Sequence, residues 1–277
     1  MRYESEGTLF YAYGLQLGIK LLLHGKIKHA LPFLIVPVNY WRHLEYKLVW
    51  READFCGADL ILDVGSPKLL SIFLAKRLGA RVVATDIEDY FVRKYGLLRR
   101  MERLTPERFQ IAVEDGRHTS FADNTFNKIY AISVVEHIPG DGDKECLAEL
   151  SRILAPGGRL LVTVPFAPVS KVEYLGDNFY WSGSSTQTDD GRVFYQRRYS
   201  EDDVRERLIR PSGLTLEKIV YFGDNILVKS EKELSDYLHP GLGPLHPLLS
   251  MLFHSKPSDS WQALKKPLGA LIVLEKH

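Results

Sequence analysis

Leu60-Ile61-Leu62-Asp63-Val64-Gly65-Ser66-Pro67-Lys68-Leu69-Leu70 decides the fold. An apolar run ends in an acid and a glycine, and apolar residues then recur at helical spacing: Leu69, Leu70, Phe73, Leu74, Leu78. That pattern predicts a buried parallel strand turning sharply into a helix. Such a turn points helix N–H groups into the crevice above the strand ends, where open α/β sheets hold their ligands. Asp63 delivers a carboxylate to the same place, so a ligand carrying both positive and negative groups suits it.

Downstream the alternation is regular. Strand 59–64 and helix 67–78, stopped by Gly79, precede strand 81–85, which ends at Asp86, and helix 88–103. Strand 109–113 ends at Glu114-Asp115-Gly116, and strand 128–133 follows a polar loop. Helix 143–154 leads through the tight turn Ala155-Pro156-Gly157-Gly158 into strand 159–164. Five βα alternations at this spacing predict a doubly wound, mostly parallel sheet. Residues 166–198 are an aromatic insertion containing Phe166, Tyr174, Phe179, Tyr180, Trp181, Phe194 and Tyr195. Ser200 with Asp203 has the capping-box pattern for helix 201–210. Strands 214–222 and 270–274 lack a helical crossover between them, which predicts an antiparallel pair closing the sheet.

Upstream, residues 8–30 read as helix, although glycines at 7, 14, 18 and 25 weaken it in isolation. Packing across the core is preferred to a membrane-surface helix or a lid, because the basic face of Lys20, Lys26 and Lys28 is modest. Asn39 is placed to cap a second helix with Tyr40, Trp41, Arg42, Glu45, Tyr46 and Trp50. The expected division is a helical cap or lid at 1–56 and a sheet-bearing domain at 57–277, with insertions at about 166–198 and 224–267.

Composition excludes several classes of function. With 36 basic and 35 acidic side chains the formal net charge is +1, so no nucleic-acid partner is expected from field alone. Two cysteines, Cys56 and Cys146, show no metal or redox spacing, and the nine histidines show no zinc spacing. No metal is expected. No signal-peptide pattern is read, and no apolar run approaches spanning length. The expectation is a cytoplasmic protein with at most weak peripheral membrane contact, leaving self-association through apolar residues at 242–253 open.

Three acids close three successive strands: Asp63, Asp86 and Asp115. Strand C-terminal ends share one rim of a parallel sheet, so all three face one crevice. Asp86 lies 21 positions after Gly65, where an acid bonds a ribose diol. Any one of them has a plain alternative as a loop aspartate capping a helix; their joint placement points to a nucleoside-containing cofactor.

With these residues the chain resembles the class I S-adenosylmethionine-dependent methyltransferases over about residues 40 to 222 and the final strand. The matching segments are Leu62-Asp63-Val64-Gly65, Asp86, Asp115-Gly116, Val135-Glu136-His137-Ile138 and Leu154-Ala155-Pro156-Gly157-Gly158. Arg42, Glu45 and Tyr46 resemble an Arg-x-x-Glu-Tyr segment that lies near the cofactor in related enzymes. The resemblance implies a Rossmann-like, mostly parallel seven-stranded sheet with an antiparallel terminal hairpin, S-adenosylmethionine as cofactor, and methyl transfer. It implies that Asp63 orients the methionine end over the Gly65 backbone, and that Asp86 accepts from the ribose with Ile87 against the adenine. Asp115 and the Gly116 backbone would reach the base, and Ser133 would sit beneath the methyl.

One departure stands out. The family usually has glycine where this chain has Pro67 and again near Leu69, and Pro67 has no N–H to donate. Ser66-Pro67 still suits a helix start, with Ser66 or Lys68 expected to replace the lost contacts; Lys68 as a solvated charge is the plain alternative. A nicotinamide oxidoreductase is disfavoured, since G-x-G-x-x-G fails at Pro67 and Leu70. A methyltransferase-like nucleoside-binding protein without turnover is the other alternative. Candidate bases are His137, Glu136 and His118, with a locally bonded helix-start residue as the structural alternative for His137. Tyr195, Arg197, Arg198 and Tyr199 are expected in the acceptor wall. The segment after the fourth strand is Ser133-Val134-Val135-Glu136 rather than Asn/Asp-Pro-Pro-aromatic, so planar amino groups of adenine or glutamine are disfavoured. A small-molecule or glycan- or lipid-linked acceptor is expected.

Overall fold

The computed structural model describes residues 2–65, 69–175, 192–225 and 240–277. Its centre is a seven-stranded sheet built from β1 (Leu60–Val64), β2 (Arg81–Asp86), β3 (Phe109–Val113), β4 (Phe126–Ile132), β5 (Leu154–Pro165), β8 (Thr215–Asp224) and β9 (Lys266–Glu275). Their order is β3-β2-β1-β4-β5-β9-β8, with β9 antiparallel to both β5 and β8 and the remaining pairs parallel. The central strands carry little polar alternation because both faces are covered. In β4, Tyr130 and Ile132 enter one apolar layer, and Ile129 and Ala131 enter the other. In β9, Leu271 and Val273 separate in the same way from Ile272 and Leu274. Each such fully buried aliphatic side chain contributes roughly 1.5–3 kcal/mol relative to exposure.

One layer is closed by α1 (Arg2–Leu23), α2 (Ile27–Ile35), α3 (Tyr40–Ala53), α4 (Leu69–Phe73, extended by a wide turn over Leu74–Leu78) and α5 (Tyr90–Met101). The other is closed by α6 (Gly142–Ile153) and α7 (Glu201–Asp203, running on through Val204–Ile209 to Arg210–Ser212). The capping box at Ser200 is present: its hydroxyl accepts from Asp203 N, and Asp203 accepts from Ser200 N. A last helix, α8 (His246–Phe253), lies in the excursion before β9.

The single helix expected over 8–30 is two helices. Gly25, at φ +69°, ends α1 in a left-handed turn, and α2 doubles back. The glycines that weaken α1 in isolation let this hairpin close, for a Cβ at Gly14 would lie 2.8 Å from Pro37 Cβ. Phe10, Tyr13, Leu17 and Leu21 bury one face of α1, with Phe10 and Tyr13 edge-on to Phe73 of α4. Asn39 caps α3, its side chain accepting from Arg42 N at 2.8 Å. β5 begins earlier than the expected 159, because Leu154 pairs with Phe126 before the Ala155–Gly158 bulge and Arg159 then resumes the register beside Lys128. The described part of the aromatic insertion is a separate two-stranded hairpin, β6 (Lys171–Leu175) with β7 (Val193–Arg198). Phe179, Tyr180 and Trp181 lie outside the described residues.

Candidate active site

The strand order turns around at β1 and β4, so the crevice opens above their C-terminal ends. Asp63 is buried near the end of β1, where it accepts from the Ser71 hydroxyl of α4. Ser71 also lies 2.8 Å from the Tyr130 hydroxyl. Gly65 follows at φ +57°, its N–H donating to Thr85 O at 2.9 Å. A Cβ there would stand 2.8 Å from Val134 Cγ1, so both backbone angle and space require glycine. Ser66, Pro67 and Lys68 lie outside the described residues.

Asp86 closes β2 and accepts from Glu88 N at 3.3 Å, folding the chain over the strand end; Ile87 beside it is exposed. Asp115 follows β3. Arg117 grips it through its backbone N–H at 3.0 Å and its guanidinium at 2.6 to 3.1 Å, and these hydrogen bonds hold the carboxyl below its usual range. Gly116 sits so close over β1 and α6 that a Cβ would lie 3.2 Å from both Val64 Cγ1 and Cys146 Sγ.

Ser133 follows β4 at φ +50°, a backbone conformation L side chains rarely adopt. A buried cluster over-determines it. Its N–H donates to Thr163 of β5, and its hydroxyl donates to Glu45 Oε1 at 2.7 Å and accepts from Arg42 Nη1 at 2.8 Å. Glu45 also accepts from Thr163 Oγ1 at 2.7 Å and pairs with Arg42. Thus α3 is locked to the ends of β4 and β5 by one carboxylate.

Next come Glu136 and His137, in a single 3-10 turn. Burial pushes the Glu136 carboxyl up to about 8, and its Oε2 has no hydrogen-bond partner among the described residues. Burial lowers His137, whose Nδ1 lies 2.8 Å from Tyr195 O. A carbonyl only accepts, so Nδ1 carries the proton and Nε2 the lone pair; Nε2 stands 3.8 Å from Glu136 Oε1.

These residues wall a cavity of about 770 Å³ together with Trp41, Tyr174 and Phe222. The hairpin supplies Tyr195, Gln196 and Arg198; Glu173 accepts from Gln196 at 2.6 Å and from Arg198 at 2.9 Å. Of the four residues expected in the acceptor wall, Tyr195 and Arg198 line it. Arg197 and Tyr199 do not: buried Asp143 turns both toward α6, accepting from the Tyr199 hydroxyl at 2.9 Å and lying 3.6 Å from Arg197. His118 is bridged to Asp115 after β3 and is not part of the wall. The three strand-end carboxylates lie outside this cavity, and Ser133 and Glu136 join it to the end of β4. Sequence reasoning missed Thr163, Glu173 and Gln196; the alternation Lys171-Val172-Glu173-Tyr174 was the available signal for Glu173.

Residues 62–162 match the family described as "Methyltransferase domain". "Methyltransferase GfsG" of Streptomyces halstedii is 27% identical over 174 residues, 57% of this chain and 61% of the relative. "Phosphoethanolamine N-methyltransferase 2" of Caenorhabditis elegans is 25% identical over 183 residues, 62% of this chain and 35% of that protein. The chain therefore spans about three fifths and about a third of the curated relatives it matches. Among solved structures, geranyl diphosphate C-methyltransferase of Streptomyces coelicolor A3(2) superposes with a TM-score of 0.53 at 12% identity, covering 85% of this chain and 78% of that one. The [4+2]-cyclase SpnF superposes with a TM-score of 0.53 at 17% identity, covering 85% and 81%. Strand order, left-handed Gly65 and these likenesses agree: the chain has the class I methyltransferase fold, and its residues 62–162 match a methyltransferase domain.

Proposed function

We propose that the protein is an S-adenosylmethionine-dependent methyltransferase acting on a small-molecule acceptor, in a cytoplasmic setting that suits its two free cysteines. The observation that carries the reading is a row of carboxylates at the ends of β1, β2 and β3 beside a polar-walled cavity of about 770 Å³. Asp63, the Gly65 backbone and Ser66 would hold the methionine end, Asp86 and Ile87 the ribose and adenine, Asp115 and Gly116 the base, and Ser133 the region of the methyl. Left-handed Gly65, packed against Val134, gives the sharp turn that brings the backbone to the crevice where the methionine end would lie. Residues 1–56 would act as a cap on the 57–277 unit, since Asn39, Trp41 and Arg42 reach the cavity wall.

When bound, the sulfonium supplies an electrophilic methyl. The chain supplies alignment and exclusion of water. Glu136, raised to about 8, is protonated at neutral pH and can donate to an acceptor lone pair. His137 is neutral and offers Nε2 as the base for a nucleophile arriving as a hydroxyl or ammonium. Glu173, Gln196 and Arg198 give the far wall hydrogen-bonding groups suited to a hydroxyl-rich or glycan- or lipid-linked acceptor.

The test is calorimetric titration with S-adenosylmethionine and S-adenosylhomocysteine, followed by transfer of labelled methyl to a substrate panel. Asp86→Ala should weaken binding about ten- to a hundredfold, the size of a lost charge-assisted hydrogen bond. No heat with either compound would sink the proposal. A second reading, binding without methyl transfer, is favoured by Pro67 alone, which removes an N–H from the cofactor turn. Binding with no labelled product across the panel would select it.

A further inference from the structure

The α1–α2 hairpin buries one side and bares the other. Residues 22–29, Leu22-Leu23-His24-Gly25-Lys26-Ile27-Lys28-His29, are all exposed, so the bend is a protruding tip rather than a groove. Leu23 is 80% and Ile27 56% exposed. The apolar side chains form continuous faces: Ile19, Leu22 and Leu23 at i, i+3 and i+4 on α1, and Ile27, Leu31 and Ile35 at i, i+4 and i+8 on α2. The stripe continues onto a second element. Gly243 is pressed against the Ile35 carbonyl with no space for a Cβ, and Tyr11 donates to Pro244 O at 3.3 Å. These contacts bring the start of α8 alongside, where Leu245, Leu248, Met251 and Leu252 are exposed.

The charge exposed at the bend is basic. From Gly7 to Leu44 the sequence holds no acidic residue; Lys26 and Lys28 stand at the tip, while Lys20 pairs with Glu102 at 3.2 Å and Arg42 is turned into the cluster with Glu45 and Ser133. Residues 240–257 likewise contain no acid and one lysine, Lys256. Lys26 and Lys28 are exposed and make no ion pair among the described residues. Exposed Leu and Ile beside lysines that can raise their ammonium groups to a headgroup layer, with no acid between Gly7 and Leu44 to repel phosphate, match an anionic lipid surface. Among the described residues no helix is long and apolar enough to cross a bilayer, which fits an element lying on the surface.

We propose that the outer face of α1–α2, extended by α8, docks the protein on the surface of an anionic phospholipid bilayer. The docking surface stands without the methyltransferase reading. One consequence rests on that reading: α2 ends four residues before Asn39, which with Trp41 lines the cavity, so a docked molecule holds its acceptor cavity near the membrane and suits an amphiphilic acceptor.

The test is flotation of the full chain, without cofactor, on phosphatidylcholine vesicles with and without phosphatidylserine. Binding is expected to the anionic vesicles, weakening as salt rises. Removing Lys26 and Lys28 as Lys26→Gln and Lys28→Gln should cost about fivefold in affinity per lysine. Leu23→Asp with Ile27→Asp should abolish flotation while leaving thermal unfolding unchanged, since both side chains are solvent-exposed. Leu23→Ser with Ile27→Ser is the milder pair if the aspartates perturb the fold. Absence of flotation on anionic vesicles, or equal binding to neutral ones unaffected by the lysine changes, would overturn the proposal. So would a dimer by light scattering that the Leu23 and Ile27 changes split without any vesicle binding, which would make a second copy the occupant. Failure of cofactor binding in the earlier titration leaves these outcomes untouched.

Discussion

Glu136 is a carboxyl held where ionisation is costly, and the sign of its effect on stability follows directly. Its folded value of about 8 lies above the ordinary 4.5. The folded state therefore keeps a proton that the unfolded chain releases between those two values. Its contribution is full below about 4.5 and is lost as pH rises through 8, a change of up to about 5 kcal/mol. Glu136→Gln keeps the shape without the proton, so the difference in urea-derived stability between variant and wild type should grow from pH 5 to pH 8 in the variant's favour. A flat difference would mean the carboxyl is solvated. His43, which burial and Lys47 lower to about 4, runs the other way: neutral when folded, it makes stability fall as pH drops below its ordinary 6.5. The variant difference is needed to separate the two slopes. Glu136 and His137 were singled out from a short Val-Glu-His-Ile run, but their protonation was not legible there, because desolvation depends on what the fold packs around them.

At the scale of elements, two junctions carry the site. The turn leaving β1 needs glycine twice over, for its φ of +57° and for the 2.8 Å approach to Val134. Gly65→Ala should cost roughly 2 kcal/mol or more, of which the backbone angle accounts for about 1–2 kcal/mol. Adding Val134→Ala relieves the crowding but not the angle, so chemical denaturation should show partial recovery; complete recovery would refute the backbone argument. The second junction is the Glu45 clamp across α3, β4 and β5. Glu45→Ala leaves Arg42 and two hydroxyls without their acceptor and should destabilise by about 3–5 kcal/mol. Glu45→Gln, which keeps an acceptor oxygen, should cost less in the same melts. The β1 turn could be read because an apolar run, an acid and a glycine are contiguous. The clamp could not: Glu45 and Ser133 are 88 positions apart, and only proximity in the fold makes them partners. The bend at Gly25 was missed for a related reason, since apolar spacing runs through it and only the left-handed angle reveals the break.

For the whole molecule, the strand succession was legible because each central strand carries an apolar run, at residues 60–62, 82–84, 129–132 and 160–162, as a sheet covered on both faces requires. The antiparallel pairing of β8 with β9 was legible from the missing crossover helix between them, whereas that of β5 with β9 was not, because those two strands meet across more than a hundred residues. Among the described strands β9 is the only neighbour of β8 in the sheet, and it also covers the outer side of β5. A chain lacking residues 266–277 should therefore lose the cooperative thermal transition; retention of a sharp melt would show that the first five strands fold by themselves. The same placement has a consequence for synthesis. Until the ribosome has delivered residues 266–275, the nascent polypeptide displays two open ladders of backbone donors and acceptors, on β5 and on β8. That interval is when it can pair with a stranger and when a holding chaperone has most to shield. Closure then comes from outside inward, with a late strand sliding between two that were waiting for it.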